Sequence, residues 1–403
     1  MAAMELYGDT FNPFFGMSLA LALSVSLNVW LLLSTTTSSI PPPAVLPKHQ
    51  TFPQEWWTDP NRFQAERRAI FSQSWICVSH RGRFKKAGDY VVYDTAGFRF
   101  FMILGKDNVV RSFHNVCRHR AFPVARKDSG SATVLGCRYH GWSYNTKGEL
   151  TKAPFFQDVP GFDKSKNKLF EILTREDNYG FLHINFNTSQ EAADSSPAQG
   201  VKIGKLSRVS RDANFLHTFE LRGAFNWKLT VNEEPFTTST TDPAKGFMNS
   251  TGRALTPAGG ELSFHPVTTI QTKSGRPFWY QIICSPVSAE ETVLRCDVYS
   301  AHNSTMSNYE GAVKDGLEQE LAQKVQGFEA VFARLRQSKE RLDHMSETQA
   351  QIAQAVDAHL AKEKVIGKEI KPAVVQQQAR TAASMKAEQI CETVECGSET
   401  MEW

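Results

Sequence analysis

Two short segments of the sequence carry residue types that could hold a metal centre. The first is Cys117-x-His119 and the second is Cys137-x-x-His140, with seventeen residues between His119 and Cys137. Each segment offers one soft thiolate and one imidazole, which are ligands for iron and zinc. Gly136 and Gly141 flank the second segment, where a residue without a side chain lets the backbone approach a bound group. Four unrelated core or surface residues would not be expected at this spacing.

Two kinds of metal centre compete for these four residues. In a Rieske-type [2Fe–2S] cluster, two cysteines hold one iron and two histidines hold the other. A zinc ion bound by two cysteines and two histidines is the alternative. Zinc fingers usually group cysteine with cysteine and histidine with histidine, whereas each segment here mixes the two types. The pattern therefore predicts a Rieske [2Fe–2S] cluster on Cys117, His119, Cys137 and His140.

The flanking residues show a resemblance to a known family. FHNVCRHR (113–120) and CRYHGWSY (137–144) resemble the two cluster-binding boxes of Rieske non-haem iron oxygenase large subunits. That family includes aromatic-ring-hydroxylating and choline-monooxygenase-like enzymes, and the resemblance covers residues 50–186. Neither box contains the additional cysteines with which respiratory-chain Rieske proteins form a disulfide. The resemblance implies a Rieske-type oxidoreductase, monooxygenase-like in its activity.

The resemblance also implies a second metal site, which this sequence does not reproduce. In the family, a mononuclear Fe(II) lies on two histidines and one carboxylate after an Asn-Trp-Lys motif, present here at 226–228. At the family's spacing the histidine positions fall on Ser239 and Ala244, and a carboxylate position falls on Phe236. Glu318 could correspond to a further carboxylate ligand, but one carboxylate on a solvated helix is not an iron site. The mononuclear iron site is therefore expected to be degenerate, and no catalytic residue is assigned.

The elements that position the four ligands are predicted to be strands. Residues 89–93, 98–104 and 109–113 are rich in β-branched and aromatic residues, and a Gly-Lys-Asp-Asn turn separates the last two runs. The sequence predicts an α+β fold: an antiparallel-β Rieske domain over 51–186, then a domain over 201–373. The family resemblance implies that the second domain is of helix-grip type, with an antiparallel sheet around a long helix. Apolar residues at helical spacing from Leu317 to Leu335 fit that helix, and 374–403 reads as a polar tail.

The N-terminal segment has a different character. Residues 16–33 form an uncharged run of 18 residues, close to the length that crosses a bilayer. A proline-containing linker over 34–50 follows, and the basic residues lie after it. The pattern predicts a single-pass membrane protein with a transmembrane helix and its bulk in the cytosol. A cleaved signal peptide or a buried helix would be the alternative interpretation.

Composition narrows the possible partners. The 45 basic and 42 acidic residues give a net charge of +3, with no dense basic run, which argues against nucleic acid. Seven cysteines in 403 residues do not form a disulfide framework, which favours a reducing compartment.

Two functional hypotheses follow. The first is a monooxygenase-like enzyme on a small organic substrate. It would receive electrons from a separate NAD(P)H-dependent reductase or ferredoxin, because the sequence shows no dinucleotide-binding fingerprint of its own. The second is an electron-transfer or accessory protein, a lapsed oxygenase that keeps the cluster without the mononuclear iron. The resemblance implies a homo-oligomer under either hypothesis.

Overall fold

Antiparallel strands build the region that contains the four predicted ligands. The computed structural model describes residues 55–156, 159–197, 209–231, 260–272, 278–300, 310–337 and 346–371. Ten strands lie in the first two of these ranges: β1 Ile76–His80, β2 Asp89–Thr95, β3 Phe98–Leu104, β4 Val110–His114, β5 Ser129–Ser131, β6 Val134–Gly136, β7 Ser143–Asn145, β8 Leu150–Lys152, β9 Glu171–Glu176 and β10 Phe181–Asn185. They form a seven-stranded sheet, ordered β1-β10-β9-β4-β3-β2-β5, and a three-stranded sheet, ordered β6-β7-β8. The predicted antiparallel-β architecture of this region is confirmed.

The predicted hairpin between β3 and β4 shows how the sequence sets the register. Leu104 pairs with Val110, and Asn108 in the connecting turn has a φ of 61°. Asparagine tolerates this left-handed conformation better than most residues do. The opposite end of β4 then leads directly into the loop that begins at Cys117, so the hairpin fixes where that loop starts.

A second sheet and a long helix follow. The strands are β11 Asn214–Gly223, β12 Gly260–Phe264, β13 Thr268–Thr272, β14 Phe278–Pro286 and β15 Thr292–Ser300, paired antiparallel in the order β11-β15-β14-β13-β12. The apolar stripe predicted from the sequence lies on a helix that packs against this sheet, with Leu317, Leu321, Val325 and Phe332 buried beside Phe219 and Leu294. The α+β content predicted for the chain is confirmed.

Four α-helices lie in the described residues: α1 Pro60–Glu66, α2 Gln190–Asp194, α3 Glu310–Gln337 and α4 Glu347–Ile366. A π-helical turn, Arg67–Phe71, continues α1. Helix α4 begins with a capping box, in which the Ser346 hydroxyl accepts from the Gln349 N–H and the Gln349 side chain accepts from the Ser346 N–H. It ends at Gly367, whose φ of 76° supplies the left-handed cap that glycine adopts without strain.

One hydrophobic core draws side chains from both predicted domains. Phe100 and Ile184 come from the first, whereas Trp227, Ile283 and Val356 come from the second. The Thr268 hydroxyl also donates to the Cys77 carbonyl at 2.6 Å, which joins β13 to β1. The domain boundary between residues 186 and 201 therefore remains a prediction.

The predicted membrane localisation was wrong. Within the ranges that the structure describes, no helix is both long enough and apolar enough to cross a bilayer. Charged residues interrupt α3 and α4, the two helices that have sufficient length. The proposed span at 16–33 and the linker at 34–50 lie outside the described residues. We therefore withdraw the single-pass assignment.

Candidate metal centre

The two predicted ligand segments fold into loops with the same backbone hydrogen bonds. In the first loop (117–122), the Cys117 N–H donates to the Phe122 carbonyl at 2.7 Å, and the Ala121 N–H donates to the Cys117 carbonyl at 2.9 Å. In the second loop (137–142), Cys137 donates to Trp142 at 2.8 Å, and Gly141 donates to Cys137 at 2.9 Å. The two loops thus present their cysteines in equivalent positions, which the spacing in the sequence does not reveal.

Each loop requires a left-handed residue at its fifth position. Gly141 has a φ of 69°, and Ala121 has a φ of 60° in the first loop. Glycine adopts this conformation freely, whereas a residue with a Cβ adopts it at a cost. A Cβ on Gly141 would also lie 3.3 Å from Cγ of Pro154. The glycine after His140 therefore serves the turn and the packing beneath it.

The two predicted histidine ligands lie side by side. Their ring centroids are 4.5 Å apart, and the Trp142 indole stacks on the His119 ring at 5.0 Å with an interplanar angle of 10°. Phe156 packs edge-on against His119 at 5.2 Å. Both His119 ring nitrogens are buried without a hydrogen-bond partner in the protein. A buried imidazole without partners is costly, so this ring is arranged for a ligand that the side chains do not supply.

The charge state of the imidazoles suits metal binding. Burial, the neighbouring His140 and Arg120 lower the pKa of His119 to about 4. Burial and Arg120 also lower the pKa of His140. Both rings are therefore neutral near pH 7, which is the form that coordinates a metal.

The predicted cysteine ligands are buried free thiols that share a hydrogen bond. That bond from Cys117, together with the backbone N–H groups of Tyr139 and His140, lowers the pKa of Cys137 to about 6. The same pairing raises the pKa of Cys117. One of the two sulfurs therefore becomes a thiolate easily, and two close thiols in an N–H-lined pocket suit a metal that takes sulfur ligands.

Sequence reasoning missed the residues that support these loops. The Tyr144 hydroxyl lies 3.4 Å from the Cys117 sulfur and accepts from the Arg118 N–H at 3.1 Å. Asn115 is buried, and its side-chain oxygen accepts from the N–H groups of Val124 and Ala125 at 2.9 and 2.8 Å. Asn115 thereby closes the chain behind the first loop. Both residues lie within the two boxes, but their partners are nine or more residues away in the sequence.

The side chains of the Asn-Trp-Lys motif at 226–228 make buried structural contacts. The Lys228 ammonium lies 2.6 Å from Oε1 of Glu66, and the Trp227 indole N–H donates to Oε2 of Glu66 at 2.9 Å. Asn226 donates to the carbonyls of Trp57 and Ala289 at 2.9 and 2.6 Å. All three side chains are buried in contacts that join the second sheet to the region around α1.

The positions of the family's mononuclear iron, Phe236, Ser239 and Ala244, lie outside the described residues. Glu318 is exposed on α3. Within the described part of the chain, no group of three or more His, Cys, Asp or Glu side chains is arranged to hold one metal ion. A Rieske cluster instead takes two ligands on each of two irons. The expectation of a degenerate second site remains a prediction.

Comparisons with known proteins support a Rieske domain in the region that contains both loops. A family model for the Rieske [2Fe-2S] domain matches residues 74–163. The oxygenase subunit of carnitine monooxygenase from Escherichia coli (strain K12) is 31% identical over 204 residues, which are 48% of this chain and 54% of that protein. The alpha subunit of chlorobenzene dioxygenase from Cupriavidus sp. (strain PS12) is 35% identical over 111 residues, 27% of this chain and 25% of that subunit. The chain thus matches about half the length of the first relative.

A solved structure extends the similarity in fold beyond the cluster region. A quaternary ammonium Rieske monooxygenase superposes with a TM-score of 0.63 at 24% identity, covering 78% of this chain and 96% of that one. The match to the domain model identifies a Rieske [2Fe–2S] domain within residues 74–163. Together with the sequence relatives, the domain match supports the resemblance to Rieske oxygenase large subunits that the two boxes predicted.

Proposed function

We propose that Cys117 and Cys137 hold one iron of a Rieske [2Fe–2S] cluster, and that His119 and His140 hold the other. The observation that carries this proposal is the pair of equivalent loops with two buried thiols and two adjacent neutral imidazoles. The unpartnered nitrogens of His119 fit a metal ligand and not a packed core histidine. Zinc is less well supported, because nineteen residues lie between the two cysteines and each cysteine shares its loop with a histidine.

The surrounding residues have definite roles in this proposal. When bound, such a cluster supplies one-electron transfer at a potential set by its ligands, its hydrogen bonds and its exposure. With Cys117 bound to the metal as a thiolate, the Tyr144 hydroxyl would donate its proton to that sulfur, 3.4 Å away, because a thiolate has no proton to give. Trp142 and Phe156 cover His119 and exclude water from that side. Asn115 fixes the path of the chain behind Cys117.

We further propose that the chain is the oxygenase component of a monooxygenase-like system. It would act on a small organic substrate and receive electrons from a separate NAD(P)H-dependent reductase or ferredoxin. The relatives support this assignment, since they are oxygenase subunits of carnitine monooxygenase and aromatic dioxygenases. A second solved structure of a quaternary ammonium Rieske monooxygenase gives insight into inter-subunit electron transfer, which supports a homo-oligomer for this chain. The sheet of β11 to β15 with α3 would form the helix-grip domain that the family uses for its substrate.

One observation favours a second candidate function. The family's histidine positions fall on Ser239 and Ala244, and neither residue type is a good Fe(II) ligand. The buried contacts of Trp227 and Lys228 with Glu66 give the Asn-Trp-Lys motif a packing role that does not require an iron site. The alternative is therefore an electron-transfer or accessory protein that keeps only the cluster.

The metal content of the purified chain separates these candidates. We expect two irons and two acid-labile sulfides per chain from the cluster alone. A third iron that is lost on mild chelation, with the sulfide unchanged, would establish a mononuclear site and the monooxygenase function. Two irons without a third would favour the accessory function. One zinc ion without sulfide would contradict both proposals.

A further inference from the structure

A row of three polar side chains crosses the second sheet inside the protein. Thr218 on β11, Asp297 on β15 and Gln281 on β14 are register partners, so their side chains lie side by side on one face. Asp297 and Gln281 are fully buried, because the cluster region covers this face. The Arg83 guanidinium lies 3.0 Å from Oδ1 of Asp297. The Gln281 side-chain amide donates to the Cys77 sulfur at 3.3 Å, so the row lies between the second sheet and β1.

The two oxygens of the Asp297 carboxylate are used unequally. Oδ1 accepts from the Thr218 hydroxyl at 2.7 Å and from the Arg295 Nε–H at 3.2 Å, besides its contact with Arg83. Oδ2 is buried and has no hydrogen-bond partner among the described residues. The side-chain oxygen of Gln281 is buried without a partner in the same way. Burying an acceptor without a donor is costly, so both oxygens require one.

This pair of oxygens needs a donor from outside the two side chains. A carboxylate oxygen and an amide oxygen are both acceptors, so Oδ2 of Asp297 and Oε1 of Gln281 cannot bond to each other. The two residues face each other across β15 and β14, where the Cβ atoms of opposite residues lie about 4.5–5.5 Å apart. That spacing lets one small donor contact both oxygens.

Tyr299 supplies a hydroxyl proton on the same face of the sheet. It lies two residues after Asp297 on β15, and its hydroxyl is buried without a partner in the described part of the chain. Its ring stacks on Trp279, with centroids 4.4 Å apart and an interplanar angle of 14°. Burial and the charge of Asp297 raise the pKa of this hydroxyl well above its usual range. The Tyr299 hydroxyl is therefore protonated and able to donate.

The charges around these atoms favour a neutral ligand. Arg83 and Arg295 both pair with Asp297, whereas Glu220, which pairs with Arg295, is more than half exposed. A metal or ammonium ion would therefore lie close to two buried positive charges. An anion would face two acceptor oxygens that have no proton to offer. A water molecule meets neither obstacle, because it both donates and accepts hydrogen bonds.

We propose that Asp297, Gln281 and Tyr299 bind one permanent water molecule between the second sheet and β1. The water donates its two protons to Oδ2 of Asp297 and Oε1 of Gln281, and it accepts from the Tyr299 hydroxyl. Three hydrogen bonds are typical of a buried water that satisfies polar groups in a protein core. The site uses none of the four proposed cluster ligands, so it does not depend on the proposed function.

A crystal structure of the cluster-loaded full chain, at a resolution that shows ordered water, tests this proposal. We expect a density peak at hydrogen-bond distance, about 2.7–3.2 Å, from Oδ2, Oε1 and the Tyr299 oxygen. The absence of a peak, with protein groups in contact with both acceptor oxygens, would overturn the proposal. A peak about 2.0–2.6 Å from the oxygens would be a bound cation and would overturn it as well.

Oxygen-17 relaxation dispersion tests the same site in solution, since it counts the long-lived waters of the oxidised chain. The double variant Gln281→Met with Tyr299→Phe leaves the water one partner, too few to hold it, so we expect one long-lived water fewer than in the wild type. Thr292→Val is the matched control, because Thr292 is also fully buried on β15 but donates to the Phe225 carbonyl at 2.8 Å. It should keep the wild-type number. Equal numbers in all three proteins would contradict the proposal, and the wild-type density decides it if the double variant does not fold.

Discussion

At the scale of single residues, the site depends on hydrogen bonds to a cysteine sulfur and on aromatic rings that pack against a histidine ring. Tyr144 is the clearest case, because its hydroxyl oxygen accepts from the Arg118 N–H and lies 3.4 Å from the Cys117 sulfur. A metal-bound thiolate has no proton, so in the proposed cluster the hydroxyl is the donor of this hydrogen bond. A hydrogen bond to a thiolate ligand stabilises the more negative, reduced form of an iron–sulfur cluster. The potential of the proposed cluster should therefore respond to this one hydroxyl.

We expect Tyr144→Phe to lower the reduction potential by roughly 20–60 mV. A hydrogen bond contributes about 0.5–1.5 kcal/mol of net free energy. For a one-electron couple, a potential difference of about 59 mV corresponds to a tenfold change in the equilibrium constant. A redox titration followed by visible absorption measures the change. Tyr93→Phe is the matched control, because the Tyr93 hydroxyl is buried but donates to Ser79 at 2.7 Å. An unchanged potential in Tyr144→Phe, with the cluster spectrum intact, would contradict the role of Tyr144.

At the scale of elements, the buried ion pair between Glu66 and Lys228 joins α1 to the turn after β11. Both side chains are almost completely buried, with a distance of 2.6 Å between Oε1 and Nζ. Burial lowers the pKa of Lys228, and Glu66 opposes that shift. Removing one partner would leave an uncompensated charge in the core, whereas removing both would not.

Glu66→Gln should therefore destabilise the fold by about 3–5 kcal/mol, which is the usual cost of breaking a buried pair. The double variant Glu66→Gln with Lys228→Met should recover a part of that loss. Denaturant unfolding followed by tryptophan fluorescence gives both values. Arg222→Ala, which breaks the exposed pair with Glu291, is the control and should cost less than about 1 kcal/mol. Additive effects of the two core substitutions would show that the pair is not coupled.

The elements also show what the sequence could and could not predict. The β3–β4 hairpin and the apolar stripe of α3 were predicted, because local periodicity and turn residues determine them. The four ligand positions followed from spacing, and the Asn115 and Tyr144 contacts did not. The contact of Lys228 with Glu66 spans 162 residues, and no local pattern encodes such a pairing. By resemblance, the motif at 226–228 marks the segment that precedes the family's iron ligands, and the structure gives its side chains a packing role.

At the scale of the whole molecule, the cluster region and the second sheet share one core and a set of buried polar contacts. Arg83, which follows β1, lies 3.0 Å from Asp297 on β15, and the same carboxylate oxygen accepts from the Thr218 hydroxyl at 2.7 Å.

The membrane assignment made from residues 16–33 shows a limit of prediction from the sequence. A run of apolar residues indicates that a span is long enough, but it does not establish that the span exists.

The shared core predicts a single cooperative unfolding transition. Cluster absorbance reports on the first region, and far-ultraviolet circular dichroism reports on the helices α3 and α4 that follow the second sheet. We expect the two signals to change at the same denaturant concentration. Asp297→Asn keeps the size of the side chain but removes the charge between Arg83 and Arg295, and it should shift both midpoints together to lower concentration. Well-separated midpoints in the wild-type chain would show that the two regions unfold independently.

The central claim is that two cysteines and two histidines of two equivalent loops hold a [2Fe–2S] cluster. Electron paramagnetic resonance of the reduced protein tests it most directly, with His119→Ala, His140→Ala and the control His217→Ala measured beside the wild type. His217 is exposed on β11 and packs edge-on against Phe219. We predict the signal of a mixed cysteine–histidine centre in the wild type and the control, and its loss or change of type in the other two variants. An all-cysteine type of signal, or a wild-type signal that persists in His119→Ala and His140→Ala, would contradict the assignment.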